Sequence, residues 1–287
     1  KHVFETIVDQ VRGTKGVRLI GYYPDSDFNR TVIECIGEPE PLREAMLRMA
    51  GKSYELIDME QQRGKHPRIG AQDTIPLFPL RGITLEEVKD LAEEIGAEVW
   101  ERYQVPIYFS GENARTPERK ELAFIRKGQY EGLKEVAYLP ERAPDIGPAK
   151  LHPTAGATIV SAAAKNLVAI NVLLSTTDME IARRIAKMMR GPSGGFSTIR
   201  AVAFKPDNHD NVAVSMNMFD TDSTPIYRTF QLIENEARRY GLSVVGTQIC
   251  GTLHQSDLLS AAEYFLRLVD FDEKQILENN ILALGEE

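Results

Sequence analysis

The sequence predicts an α+β protein made of two ferredoxin-like α/β sandwich subdomains, with a substrate cleft between them. Three observations carry that expectation. Strand-like and helix-like patterns alternate along the chain. From residue 167 onward they read β-α-β-β-α-β-α, the order of a ferredoxin-like unit. The first half repeats this rhythm less regularly, which puts a boundary near residue 165 and gives domains 1–165 and 166–287. A cleft between two such units is a common place for a ligand.

Residues 1–7 have an amphipathic helical pattern with an early acidic residue, unlike a signal peptide. Residues 17–23 and 31–37 read as strands around a polar turn at 25–30, and 40–49 as an amphipathic helix. Thr84-Leu85-Glu86-Glu87 is a capping box, in which the Thr hydroxyl and the Glu87 carboxylate each satisfy a free backbone N–H. Apolar residues then recur at helical spacing: Leu85, Val88, Leu91, Ile95, Val99 and Tyr103. Residues 105–109 form a short buried-type strand, and 117–125 return to helix. Residues 138–158 hold four Pro and two Gly with little periodicity. That is too long for an ordinary connector, so the segment is either functional or a linker. In the second half, strands are expected at 167–174, 199–204, 212–218 and 242–249. Helices are expected at 178–190, 227–240 and 258–269.

With 287 residues, 43% of them hydrophobic, the chain can bury a normal core. A net charge of −8 argues against broad binding to nucleic acid or to an anionic membrane surface. No uninterrupted apolar run is long enough to span a bilayer. Cys35 and Cys250 lie in apolar strand-like runs without a CxxC, which reads as buried thiols in a reducing compartment and points to the cytoplasm. His2, His66, His152, His209 and His254 include no close pair, so no metal site is expected. GxGxxG, P-loop, HExxH and GxSxG patterns are absent, and Gly191-Pro192-Ser193-Gly194-Gly195 lacks the P-loop lysine.

The densest chemistry is Gly64-Lys65-His66-Pro67-Arg68-Ile69-Gly70-Ala71-Gln72-Asp73, with an imidazole, two cations and a carboxylate among Gly and Pro. Gly and Pro fix the backbone, so the segment reads as an ordered loop. Histidine suits proton transfer near neutral pH. By itself the segment fits either a catalytic loop or a structural turn facing water.

Around His66 the chain resembles the formiminotransferase family. The matching runs include Asn29-Arg30-Thr31-Val32, the Gly64 to Asp73 loop, Pro79-Leu80-Arg81-Gly82 and Val105-Pro106-Ile107-Tyr108. They continue through the run from Ile125 to Leu133, His152-Pro153-Thr154-Ala155-Gly156, Val214-Ser215-Met216-Asn217-Met218 and Glu236-Ala237-Arg238-Arg239-Tyr240-Gly241. The resemblance implies two α/β subdomains around a substrate tunnel. It also implies the role of a glutamate formimidoyltransferase in histidine degradation: transfer of a formimino group from N-formimino-L-glutamate to N5 of tetrahydrofolate, the co-substrate, without a metal. On that reading His66 is the acid–base catalyst. The folate-contacting stretch falls on Gly147, Pro148, Ala149, Lys150, Leu151, His152, Pro153, Thr154, Ala155 and Gly156, where glycines would admit the pterin closely. Both substrates carry carboxylates, so Arg30 and Arg68 are candidate carboxylate ligands, with Arg115 and Lys65 behind them. Asp73 either orients His66 or caps a following element. The resemblance further suggests a homodimer through the second subdomain.

The chain departs from the family at several places. Family members open with a strand ending in a Pro-Asn-Phe-Ser-Glu-Gly-type segment, which does not occur here, so the first sheet is expected to lack a strand. Tyr23 stands where an acidic residue is usual, Arg142 where a Trp is usual, and Ser161-Ala162-Ala163-Ala164-Lys165 replaces a Gly-Ala-Arg run. These differences keep an alternative open: a divergent paralogue that binds folate without turnover, or uses another one-carbon donor such as N-formyl-glutamate.

Overall fold

The computed structural model describes residues 2–26, 28–206 and 209–284. It divides into two compact units, Lys1–Lys165 and Asn166–Glu287. The mixed α/β class and the two units are as the sequence predicts.

The first unit opens with helix α1 (His2–Val8) and a hairpin of β1 (Val17–Asp25) and β2 (Arg30–Gly37). Helix α2 (Pro39–Leu56) starts on a proline, whose missing N–H costs nothing at a helix start. Strand β3 (Thr74–Leu77) leads to α3 (Leu85–Tyr103), which begins at the expected Thr84–Glu87 capping box. Strand β4 (Ile107–Gly111) starts two residues later than the apolar run, after Pro106, which has no N–H to give a ladder. The expected helix over 117–125 is instead a single 3₁₀ turn at Pro117–Lys120 followed by the one-turn α4 (Leu122–Ile125). Helix α5 (Gln129–Val136) and strand β5 (Thr158–Ala162) complete the unit.

The strands of this unit fall into two sheets: the antiparallel hairpin, and a parallel sheet in the order β3-β5-β4. Both faces of the parallel sheet are covered, as parallel pairing generally requires. Ile75, Ile107, Phe109 and Val160 pack with α3 residues Val88, Ala92, Ile95 and Val99. The alternate residues Tyr108 and Ile159 pack with Ile69, Tyr130, Leu133 and Leu151 on the other side. Helix α3 comes close to β4 at Gly96, where a Cβ would stand 2.8 Å from the Phe109 ring. Behind β4, the buried Arg119 Nη1 donates to Asp145 Oδ1 at 2.6 Å, and Asp145 Oδ2 accepts from the Phe109 N–H at 2.7 Å. That pair fixes the Pro/Gly-rich segment to the sheet just before residue 147.

The second unit has the ferredoxin-like order in full. Strands β6 (Val168–Leu174), β7 (Ile199–Phe204), β8 (Ala213–Met218) and β9 (Val244–Cys250) form an antiparallel sheet in the order β7-β8-β6-β9. Helix α6 (Met179–Met189), capped by Asp178, and α7 (Ile226–Arg238) supply Ala182, Ile185, Met189 and Ile233 to a core with Val168, Ile170, Val172 and Met216. Helices α8 (Gln255–Leu266) and α9 (Leu277–Leu284) follow. Among the described residues no helix is long and apolar enough to cross a membrane. Cys35 is half-buried and its thiol is pushed up to about 11 by burial, whereas Cys250, read from sequence as buried, is exposed.

Candidate active site

His66 lies on the loop between α2 and β3, and three segments hold that loop. The first is the β1–β2 turn. Asn29 takes the left-handed conformation, its Nδ2 donates to the Arg63 carbonyl at 2.5 Å, and its own carbonyl accepts from Gln62 Nε2 at 3.0 Å. Gly64 sits so close that a Cβ would meet the Phe28 carbonyl at 2.4 Å. The second is α5, reached through Arg68. This residue is only 7% exposed, and its guanidinium is fully engaged. Nε donates to Gln62 Oε1, Nη1 to Gln129 and Glu131, and Nη2 to the Gln62 carbonyl and to Glu131 at 2.7 Å. The Glu131 carboxyl is held down at about 2, chiefly by those bonds. Arg68, a sequence candidate for substrate carboxylates, therefore has no donor left over and fastens the loop to α5.

The third segment is the stretch 147–156. Gly70 bridges Gly156, the Ala71 N–H donates to the Ala155 carbonyl, and the Ala157 N–H donates to the Ile69 carbonyl. Both glycines are required. A Cβ on Gly70 would stand 2.0 Å from the Ala157 carbonyl oxygen, and one on Gly156, at φ +76°, 2.2 Å from that of Ile69. The close approach that glycine allows here is between two protein backbones. Within the stretch, His152 Nδ1 accepts from the N–H groups of Thr154 and Ala155, so its ring caps the turn and its proton belongs on Nε2. Burial holds this imidazole below its usual value. Leu151 and Ala155 are buried, whereas Pro148, Ala149, Lys150, Pro153 and Thr154 are exposed. Pro148, Lys150, Leu151, His152 and Pro153 line a cavity of about 390 Å³ together with Trp100, Gln104 and Pro106. Sequence reasoning did not single out Trp100 or Gln104, which reach the cavity from the end of α3 and its left-handed cap.

The His66 ring itself is half-buried. Arg30 Nη1, always a donor, lies 3.4 Å from His66 Nε2, so Nε2 is the acceptor and the neutral ring carries its proton on Nδ1. Phe28 meets the ring edge-on at 6.3 Å between centroids. Burial, then Arg30, then Arg126 hold the imidazole below its usual value, and Asp73 opposes them. Among the described residues no hydrogen bond joins Asp73 to His66. Asp73 Oδ1 accepts from the Ile69 N–H at 2.6 Å and Oδ2 pairs with Arg126, so this carboxylate organises the loop and acts on His66 only through its charge. Arg30 and Lys65 are exposed and make no ion pair among the described residues. Arg115 pairs with Glu93 and covers the Phe109 ring, and Arg142 donates to the carbonyls of Phe124, Ile125 and Lys127. Tyr23 is exposed on β1 and its hydroxyl contacts Glu34 at 3.3 Å. No group of three or more His, Cys, Asp or Glu able to hold a metal ion occurs among the described residues.

A neutral imidazole beside two unpaired cations, on a loop laced to a cavity-lining segment, is equipped to move protons on an anionic substrate. Family models match almost the whole chain: the formiminotransferase domain, N-terminal subdomain, over residues 1–163, and the formiminotransferase domain over residues 169–287. The class so defined is an enzyme that transfers one-carbon groups. The chain is 38% identical to a glutamate formimidoyltransferase of Streptococcus pyogenes serotype M1, covering 98% of this chain and 94% of that one. It is 36% identical to a glutamate formimidoyltransferase of Thermoplasma acidophilum, over 96% and 91%. It is also 36% identical to a formimidoyltransferase-cyclodeaminase of Sus scrofa, over 92% of this chain and 50% of the pig protein. This chain belongs to the formiminotransferase family.

Proposed function

We propose that this protein is a glutamate formimidoyltransferase that moves the formimino group of N-formimino-L-glutamate to N5 of tetrahydrofolate in histidine degradation, with His66 as its acid–base catalyst. The observation that carries the reading is the His66 loop: a half-buried, neutral imidazole flanked by Arg30 and Lys65 and joined by backbone bonds to the stretch 147–156. In the reaction the N5 lone pair attacks the formimino carbon, and the neutral imidazole takes the proton that N5 must lose. The imidazolium then protonates the glutamate nitrogen as the carbon–nitrogen bond breaks, and glutamate leaves. One group serves both steps, and each proton it accepts is returned.

Arg30 and Lys65 supply the positive field that substrate carboxylates need; Arg68 works behind them by fixing the loop. Tetrahydrofolate is assigned to the stretch 147–156 and its cavity, whose volume is in the range of small-ligand sites and whose Lys150 is exposed. The protein acts in the cytoplasm as a homodimer joined through the second unit, where Val202 and Phe204 of β7 stand exposed on the sheet face away from α6 and α7.

The test is turnover of N-formimino-L-glutamate and tetrahydrofolate, followed as the methenyl form after acid conversion. His66→Ala is expected to lower kcat by about 10²–10⁴-fold with folate binding retained. Unchanged turnover in that variant removes His66 from the chemistry. Folate binding without turnover in the wild-type protein replaces the reading with a non-catalytic paralogue or another one-carbon donor.

A further inference from the structure

We infer that the groove between helix α6 and the free edge of strand β7 is a docking site for an extended acidic peptide, which adds to the sheet as a fifth strand. The groove is a cavity of about 530 Å³ lined by Glu180, Arg183, Arg184, Lys187 and Arg190 from α6 and its cap, and by Ala201, Val202 and Ala203 from β7. Four cations thus face one carboxylate on a chain whose net charge is −8. Glu180 is shared by Arg183 at 3.5 Å and Arg184 at 3.4 Å. Lys187 and Arg190 make no ion pair among the described residues. This is the charge that an acidic ligand would complement.

The other wall of the groove selects a peptide among acidic ligands. Among the described residues strand β7 pairs with β8 alone, so alternate N–H and C=O groups of Ile199–Phe204 point outward along the edge. An extended chain can satisfy them by strand addition. The repeats also match. Arg183 and Lys187, four residues apart on a helix, are separated by about 6 Å along its axis. Alternate residues of a strand are separated by about 6.7 Å. Acidic residues at every second position would therefore meet successive α6 cations. The intervening positions would continue the open face on which Val202 and Phe204 of β7 are 59% and 43% exposed, so apolar residues suit them. A second copy of this chain fits the edge poorly, because edge-to-edge pairing would set two rows of α6 cations side by side.

The test is fluorescence anisotropy of a fluorescein-labelled peptide of alternating Glu and Val, titrated with the full-length protein. Saturable binding is expected, weakened about tenfold or more in Arg183→Glu/Lys187→Glu and about as much when alternate peptide nitrogens are methylated. Amide hydrogen exchange of Arg200–Phe204 is expected to slow when the peptide is bound. The methylated peptide keeps its charge and needs no protein variant, so the strand-addition claim stands or falls even if the double variant misfolds. Equal binding of the methylated peptide, or of a γ-linked glutamate oligomer, would reduce the groove to a simple anion patch and overturn the proposal. So would tighter binding of a single-stranded RNA oligonucleotide, concentration-dependent self-pairing at β7, or no saturation at about 1 mM protein.

Discussion

His66 is held neutral by charge as well as by burial, and the charges around it do not all pull the same way. Arg30 lowers the imidazole pKa and Asp73 raises it. A base that must be deprotonated gives an acidic limb in kcat/KM at its own pKa. That limb is expected below pH 6.5, the ordinary histidine value. Arg30→Ala removes a repelling cation and should move the limb up. Asp73→Asn keeps an acceptor for the Ile69 N–H, removes the opposing charge, and should move the limb down. Shifts in the same direction, or no shift in either variant, would take the titrating group away from His66. Folding stability follows the same sign. His66 and His152 both sit below the usual value, so the unfolded chain binds more protons at mildly acidic pH. Their contribution is complete above pH 6.5 and is lost as the pH falls through their folded values. At this scale His66 and Arg30 could be picked out as candidates from the sequence because each lies in one short motif. The commitment of Arg68 was not, because its partner Glu131 lies 63 positions downstream and only the fold brings them together.

The elements that position the site are tied by backbone bonds, which makes glycine their most sensitive component. Gly156→Ala would put a Cβ 2.2 Å from the Ile69 carbonyl at a φ of +76°. The strain is expected to cost about 1–3 kcal/mol, read as a lower urea midpoint. Because the same bonds hold the His66 loop, kcat should fall with it. Gly82→Ala is the control: its φ is also positive, at +68°, but nothing lies within 4 Å, so it should lose some stability and leave kcat unchanged. A Gly156→Ala protein with full activity would show that the loop pairing does not position His66. Long elements with strong signals, such as α3 with its capping box and every strand of the second unit, could be read from periodicity. Strands β3 and β5 and helix α5 could not. β3 and β5 are four and five residues long, and the left-handed Gly128 before α5 depends on its surroundings for that conformation.

Across the whole molecule, each unit closes its own core. The second unit's cluster draws only on residues between Val168 and Leu253, and the two clusters of the first unit stop at Ala162. A fragment of residues 166–287 is therefore expected to fold alone, with a single cooperative urea transition and an m value of about 1–3 kcal/mol/M. If the proposed homodimer forms through the open sheet face, the fragment also carries the contact. Its melting temperature should then rise with protein concentration, because association stabilises only the folded state. Val202→Glu/Phe204→Glu changes two exposed open-face positions of β7 and should abolish the concentration dependence while leaving the fold intact. A fragment that binds a hydrophobic dye and melts without cooperativity would make the second core dependent on the first unit. A cooperative, concentration-independent melt would keep the independent fold and move the dimer contact off this face.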